Sequence, residues 1–297
     1  MRGGASVPPA DKKDLRGRVA YSTSSGDIWV MKADGTHRTQ VTRSGRGHDF
    51  DPHLSPHARA IVFRTSRGRY LPDTRGIGLE GIFVVDVRSK RARPIHPRVG
   101  GLFPSWSPDG KTIAFSTLQA HGETIRLVTP RGKEIRDLID VRTGAVQEGL
   151  AWSPDSRRIA YNSHRGDGNW AIWVMNRDGS GKRQLTHPKL VEPRGSGGDA
   201  IGAWSPDGTK PLYSSGQFDG RELYLMNSDG SGVRRLTDWP GADGPVAWLP
   251  SGDIVFAHSV EPDPLPRWFI VRPDGSQLRS LPWFDGAGSP LDWIVPR

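Results

Sequence analysis

The sequence predicts an all-β fold, a six-bladed β-propeller of four-stranded antiparallel blades closed by its own C-terminal strand. Three observations predict it. An anchored strand–turn–strand segment recurs every 44 to 52 residues, a second repeated hairpin follows each anchor, and the chain ends on one anchor more than its first blade accounts for. Repeats of this period are the sequence signature of propeller blades.

The anchored segments are PSWSPDGKTIAFST (104–117), LAWSPDSRRIAYNS (150–163), GAWSPDGTKPLYSS (202–215) and VAWLPSGDIVFAHS (246–259), with a degenerate copy PHLSPHARAIVFRT (52–65). Their anchors are Leu54, Trp106, Trp152, Trp204 and Trp248. The strand around the anchor is strand A. A turn such as Ser107-Pro108-Asp109-Gly110 follows, with Pro suited to the second turn position and Gly to positive φ. The IAFST-type run is strand B.

The second motif reads IWVMKADGTHRTQVT (28–42), IWVMNRDGSGKRQLT (172–186) and LYLMNSDGSGVRRLT (223–237). Weaker copies lie at 82–95, 125–138 and 269–281. Its apolar run is strand C, and the Asp-Gly pair turns tightly into strand D. No stretch shows helical periodicity. One such blade cannot cover its own apolar faces, so neighbours must stack, with the anchor Trp side chains as filler between them.

The predicted blades are 18–43 with 289–297, then 51–96, 103–139, 149–187, 201–238 and 245–282. Residues 18–43 supply only strands B, C and D. Trp293 falls 45 residues after Trp248, where the next strand A belongs, so SPLDWIVPR (289–297) is expected to complete the first blade. Residues 1–17 are expected to form a mobile tail.

The 297 residues suffice for a large core, and cysteine is absent, which excludes disulfides, thiol nucleophiles and cysteine metal sites. No run of 18 apolar residues occurs, so no membrane span is expected. Residues 1–98 carry 19 Lys/Arg and 9 Asp/Glu, whereas 99–297 carry 22 and 23, a one-sided field that favours an anionic partner or simply a solvated Arg-rich face. Nucleic acid is disfavoured, because the basic residues fall on both faces rather than in one stripe with aromatics.

The recurring WSPDG…IAF…IWVMN-x-DGSG-x-x-RQLT pattern resembles the six-bladed propellers of the TolB family, over residues 18–297. That resemblance implies a propeller that binds a lipoprotein partner and short disordered peptides at its channel mouth in the cell envelope. TolB itself has an α/β domain before its propeller. Residues 1–17 carry neither such a domain nor an apolar signal-peptide core. The chain as written therefore reads as cytoplasmic, or as extracytoplasmic if its start has been trimmed. Related blades also accompany prolyl-oligopeptidase-type peptidases and some carbohydrate lyases.

Meander parity places A–B and C–D turns on one face and B–C and D–A loops on the other. The second set is longer and more variable, so recognition is expected there. Residues preceding each anchor are expected to ring the channel mouth: His48, Asp49, Asp51 and His53, then Gln147 and Glu148, Asp199 and Asp243. Asp49, Asp199 and Asp243 each stand five residues before their anchor, an equivalence that would line the opening with negative charge. A divalent cation completed by His48 or His53, or the basic and amide groups of a peptide, would suit such a ring. The outer walls are expected from Arg64, Arg67 and Tyr70, and from His164, Arg165 and Trp170, with Phe218 beyond. Arg beside aromatics suits carboxylate, phosphate or sugar groups.

Several literal matches are rejected. Gly76–Gly81 fits G-x-G-x-x-G but opens no helix, and neither G-x-S-x-G nor H-E-x-x-H occurs. Two functional readings remain. The first is a monomeric, non-catalytic scaffold without a cofactor that binds a protein, a peptide or a small anionic ligand. The alternative is a propeller lyase or hydrolase acting on a saccharide, with His48, His53, Glu148 and Asp199 as acid/base groups or metal ligands.

Overall fold

Each blade is a four-stranded antiparallel sheet whose strand order follows the chain, except in the first. The computed structural model describes residues 7–45, 47–66, 71–72, 78–79, 81–95, 101–119, 122–138, 146–164, 170–188, 197–217, 220–260, 265–284 and 291–296, the side chains at 71–72, 78–79, 118–119, 122–123, 146–148, 217 and 291 excepted. The inner strands of blades two to six are Asp49–Leu54, Leu102–Trp106, Val146–Trp152, Gly197–Trp204 and Ala242–Trp248. In the first blade the inner strand is the C-terminal Leu291–Ile294, which pairs antiparallel with Arg18–Ser22, Trp293 opposite Val19. The inner strands also pack side by side round the ring, the last against the first through Leu291–Ile294. Closure leaves no long exposed sheet edge at the junction of the termini. No helix among the described residues is long and apolar enough to cross a membrane.

The repeated residues explain the repeated geometry. In the A–B turns the serine hydroxyl closes the loop: Ser107, Ser153 and Ser205 each donate to the turn aspartate (2.6, 2.6 and 2.5 Å) and accept the backbone N–H of Thr112, Arg158 and Lys210. In the C–D turns Gly179 adopts φ 86°, and a Cβ there would come within 3.0 Å of the Leu138 carbonyl in the neighbouring blade. The terminal threonine of the QVT, QLT and RLT runs turns back on its own blade. The hydroxyls of Thr42, Thr186 and Thr237 accept the backbone N–H of Ile28, Ile172 and Leu223 at 2.9 Å.

Packing lies between blades rather than within them. Six apolar clusters fill the six interfaces, such as Ile125, Trp152 and Tyr161 between blades three and four. Another holds Val19, Val255, Trp268 and Trp293 between blades six and one. The anchor indoles also tie neighbours through hydrogen bonds, Trp152 Nε1 to the Ser105 carbonyl (3.3 Å) and Trp204 Nε1 to the Ala151 carbonyl (3.1 Å).

A second inter-blade device runs round the outside. The strand D residue facing the same strand C position in each blade is Thr39, Arg93, Arg136, Arg183, Arg234 and Arg279. Four of these arginines donate to a C–D turn carbonyl of the next blade: Arg93 to Pro130, Arg136 to Asp178, Arg183 to Asp229 and Arg234 to Pro273. Four arginines thereby hold blades together. The first blade has Thr39 instead.

Residues 7–15, expected within a mobile tail, lie against the outer edge of blade six. Ala10 N–H donates to the Ser280 carbonyl and Ser280 N–H to the Pro8 carbonyl, both at 2.9 Å, and Ala10 and Leu15 are buried. The polar composition that suggested a tail conceals two apolar residues that reach the blade-six core.

Trp293→Ala is expected to lower unfolding free energy in urea by about 3–5 kcal/mol, because it empties the closing interface. A loss below about 1 kcal/mol would mean that the terminal strand contributes little to closure.

Candidate functional site

The inner strands of blades two to six share an irregularity invisible in the repeat. Each shows a register shift a few residues before its anchor, between Phe50/His53, Leu102/Ser105, Glu148/Leu150, Ile201/Ala203 and Pro245/Ala247. Such bulges carry one extra residue and re-aim side chains. Asp51, Phe103 and Gly149 take positive φ there (49°, 51° and 56°).

These bulges line a channel cavity of about 480 Å³. Its wall runs from the bulges past the anchors to the prolines of the A–B turns, including Pro108, Pro154 and Pro206. It therefore occupies the channel half toward the A–B and C–D turns, opposite the face expected to carry recognition. The inner strands are terminal in their sheets, so one row of backbone N–H and C=O groups on each faces the channel without a strand partner.

The wall has two sides of different chemistry. Blades four to six contribute Leu150, Ala203, Val246 and their neighbours. Blades one to three contribute Asp292, Asp51, His53 and Ser105. His53 Nε2 lies 3.2 Å from Ser105 Oγ, and His53 Nδ1 lies 4.0 Å from Asp292 Oδ2. Asp292 Oδ2 accepts the Leu54 N–H at 2.6 Å. Asp51 pairs with Arg64 (Oδ2 to Nε, 2.8 Å). Burial pushes the Asp51 carboxyl above its ordinary range, partly opposed by the Arg64 charge. The Arg64 guanidinium also covers the Phe50 ring at 4.7 Å.

Asp49, Asp199 and Asp243 do occupy equivalent places: each N–H donates to a B–C or C-strand carbonyl of the preceding blade, that of Gly26, Trp170 and Arg221. They do not line the cavity. All three are buried, and each faces strand B of its own blade, opposite Thr65, Ser215 and His258. Asp49 accepts the Thr65 hydroxyl at 2.6 Å. Asp243 accepts His258 Nδ1 at 2.7 Å and Trp239 Nε1 at 3.0 Å, with the Trp239 and His258 rings stacked at 4.4 Å. Burial raises the Asp199 carboxyl, while hydrogen bonds from Ser215 and Thr186 and the Arg221 charge pull it down. These carboxylates join strands and blades; a negatively charged mouth built from them is not what the structure contains.

The remaining expected residues scatter. His48 is exposed and stacks on Phe50 at 5.7 Å. His164 meets Trp170 edge-on at 4.7 Å, at the junction of blades four and five, where Trp170 bridges Gly198. Arg67, Tyr70, Arg165 and Phe218 and the side chains of Gln147 and Glu148 lie outside the described residues. Among the described residues, no three His, Asp or Glu side chains gather as a metal site. Asp292 and Ser105 were missed from sequence. The signal that could have found them is positional, since both sit next to an anchor, one residue before Trp293 and Trp106.

No protein-family model matches the chain. By sequence it is 30% identical over 99 residues to the Tol-Pal system protein TolB of Anaeromyxobacter dehalogenans, covering 33% of this chain and 20% of that protein. In solved structures, TolB from Acinetobacter baumannii superposes with a TM-score of 0.70 at 19% identity, over 96% of this chain and 68% of the other. This is a TolB-like six-bladed propeller. The TolB-like chain matches half or less of the length of its curated relatives. The same fold also serves an enzyme, an oligogalacturonate lyase solved in complex with manganese, at a TM-score of 0.57 and 12% identity.

Asp243→Ala leaves the buried donors of His258 and Trp239 without an acceptor. It is expected to cost about 3 kcal/mol in urea unfolding, with ligand binding in the folded protein unchanged. The raised Asp199 carboxyl contributes a stability that is present below the ordinary value of 3.8 and is lost as pH rises through its folded value. Asp199→Asn should therefore flatten the fall in stability between acid and neutral pH, measured as the difference between wild-type and variant melts. Parallel curves would contradict the assignment.

Proposed function

We propose that this TolB-like propeller is a non-catalytic binding module that takes an extended segment of a protein partner into its central channel. The observation that carries the reading is the channel wall: six inner strands whose inward edges have no strand partner and are only partly satisfied by neighbouring blades, Trp and Pro side chains round the rim, and a polar patch on one side only. Free strand edges recognise extended peptides through main-chain hydrogen bonds, while side-chain pockets set selectivity. The apolar arc of blades four to six suits an aliphatic or aromatic residue of the partner. Asp292 and Asp51 suit a basic or amide group. The Tol-Pal relatives are compatible with a role in protein assembly.

A second reading is favoured by one observation, the contact of Ser105 Oγ with His53 Nε2 beside the Asp292 carboxylate, while His53 Nδ1 lies 3.2 Å from the Leu54 carbonyl. Acid/base chemistry on a saccharide would use His53, and the likeness to a lyase fold is compatible with it.

Panning a random peptide library against the immobilised protein tests the first reading. Recovered peptides are expected to bind wild type and to lose at least about tenfold in affinity on Ala203→Trp, which fills the channel, and on Asp292→Asn. Peptides that bind both variants as tightly as wild type would overturn it. Turnover of oligogalacturonate that disappears in His53→Ala would establish the second reading instead.

A further inference from the structure

At four blade junctions an arginine of strand D crosses to the next blade's C–D turn; between blades one and two the corresponding residue is Thr39. The shorter side chain does not cross. Its hydroxyl donates to the His37 carbonyl within its own turn (3.3 Å). At this junction the structure has a cavity of about 1200 Å³ on the A–B and C–D face, with Thr39 in its wall.

The cavity has an apolar floor and a cationic rim. Val30, Met31, Ala33 and Ala58 are buried beneath it. Arg16, Arg18, Lys32, Arg59 and Arg88 line it and are exposed. Among the described residues, the carboxylates in the lining are Asp34 and Asp86, which leaves an excess of three positive charges with His37 and His57 neutral. Both aspartates are occupied by their own turns. Thr36 donates to Asp34 through its hydroxyl and its N–H, and Asp86 accepts the N–H of Ser89 and Arg88. These bonds hold both carboxyls below their ordinary range. Among the described residues, the side chains of Arg16, Lys32, Arg59 and Arg88 make no hydrogen bond and no close ion pair, Lys32 and Arg88 acting on Asp34 and Asp86 only through longer-range charge; Arg18 reaches only the Ala58 carbonyl (3.4 Å). Elsewhere on this face the D-strand arginines are engaged by carbonyls. Here the guanidinium groups converge on a concavity with their donors free.

We propose that this groove is a binding site for a small oligoanion of the phosphate class, carrying two or more phosphate groups. Converging guanidinium and ammonium groups are the usual partners of phosphate oxygens, and guanidinium binds them two at a time. Several such groups round one cavity reward a ligand with several anionic centres over a single one. The site lies at a blade junction away from the channel, so its occupancy and the channel's are separable.

Inorganic triphosphate titrated into the protein by calorimetry at about 0.15 M salt tests this, since exposed long-range attraction is largely screened there. Saturable one-to-one binding is expected, weakened by at least about tenfold in Arg59→Ala/Arg88→Ala. Lys111→Ala/Arg157→Ala removes the same charge at another junction and should change affinity by less than about twofold. Thr39→Arg is the decisive variant. It adds positive charge but rebuilds the missing clasp, so it should weaken triphosphate binding while the melting temperature holds or rises. Tighter binding by Thr39→Arg, equal losses in the two double variants, or absence of saturable binding would each overturn the proposal. So would binding of an oligo-glutamate peptide at Arg59 and Arg88 with none of triphosphate. Loss of peptide binding in the channel variant Ala203→Trp leaves the triphosphate result unchanged, so the two readings fail separately.

Discussion

A propeller blade is a sheet with two apolar faces and no means of covering either. Everything else in this structure follows from that constraint. Each blade must be sandwiched by two others, and the series ends only when the last blade meets the first. The six apolar clusters are the interfaces this requires, and the pairing of Leu291–Ile294 with Arg18–Ser22 is how the chain closes the set. Burial of this kind is non-directional, so it brings blades together without setting their angle. Direction comes from polar devices laid over it: the serine-closed A–B turns, the threonines that fasten strand D to strand C, and the arginines that reach the next blade's turn carbonyls.

Closure leaves the inner strands facing one another across an axis, each with an edge that no further strand covers. The geometry that stabilises the ring therefore also makes a channel with backbone donors and acceptors in its wall. The bulge in the inner strands of blades two to six adds a second feature, because it places one extra residue where the channel passes. Asp51, Phe103 and Gly149 are three unlike residues in one conformation. The scaffold fixes where side chains point, and the bulge residues decide what the channel presents.

The fold was legible in the sequence because the same residues perform the same task in every blade. Trp106, Trp152 and Trp204 recur at near-constant spacing, and Trp293 stands where a missing strand required it. The sites were less legible for reasons that can be named. Asp49, Asp199 and Asp243 were recognisable as equivalent, but a bulge lies between them and their anchors. One inserted residue inverts the alternation of side chains along a strand. Carboxylates expected at the mouth are thus turned into the blade. His53, Asp292 and Ser105 meet across three blades, from positions about 240 and 50 residues apart in sequence, and no local pattern encodes that meeting. The arginine clasps were visible as letters in RQLT and RRLT but read as solvated charge, since their acceptors are carbonyls, which carry no side-chain signature.

The account stands on closure of the ring by the terminal strand, and native-state hydrogen exchange tests it most directly. The amides of Ala20, Asp292 and Ile294, which lie in the hydrogen-bonded pairs of the closing ladder, should exchange as slowly as those of Ile159, Ala160 and Tyr161 in the interior of blade four, because all would open only with the whole ring. Fast exchange at Ala20, Asp292 and Ile294, with blade four still protected, would show an open ring and contradict the account.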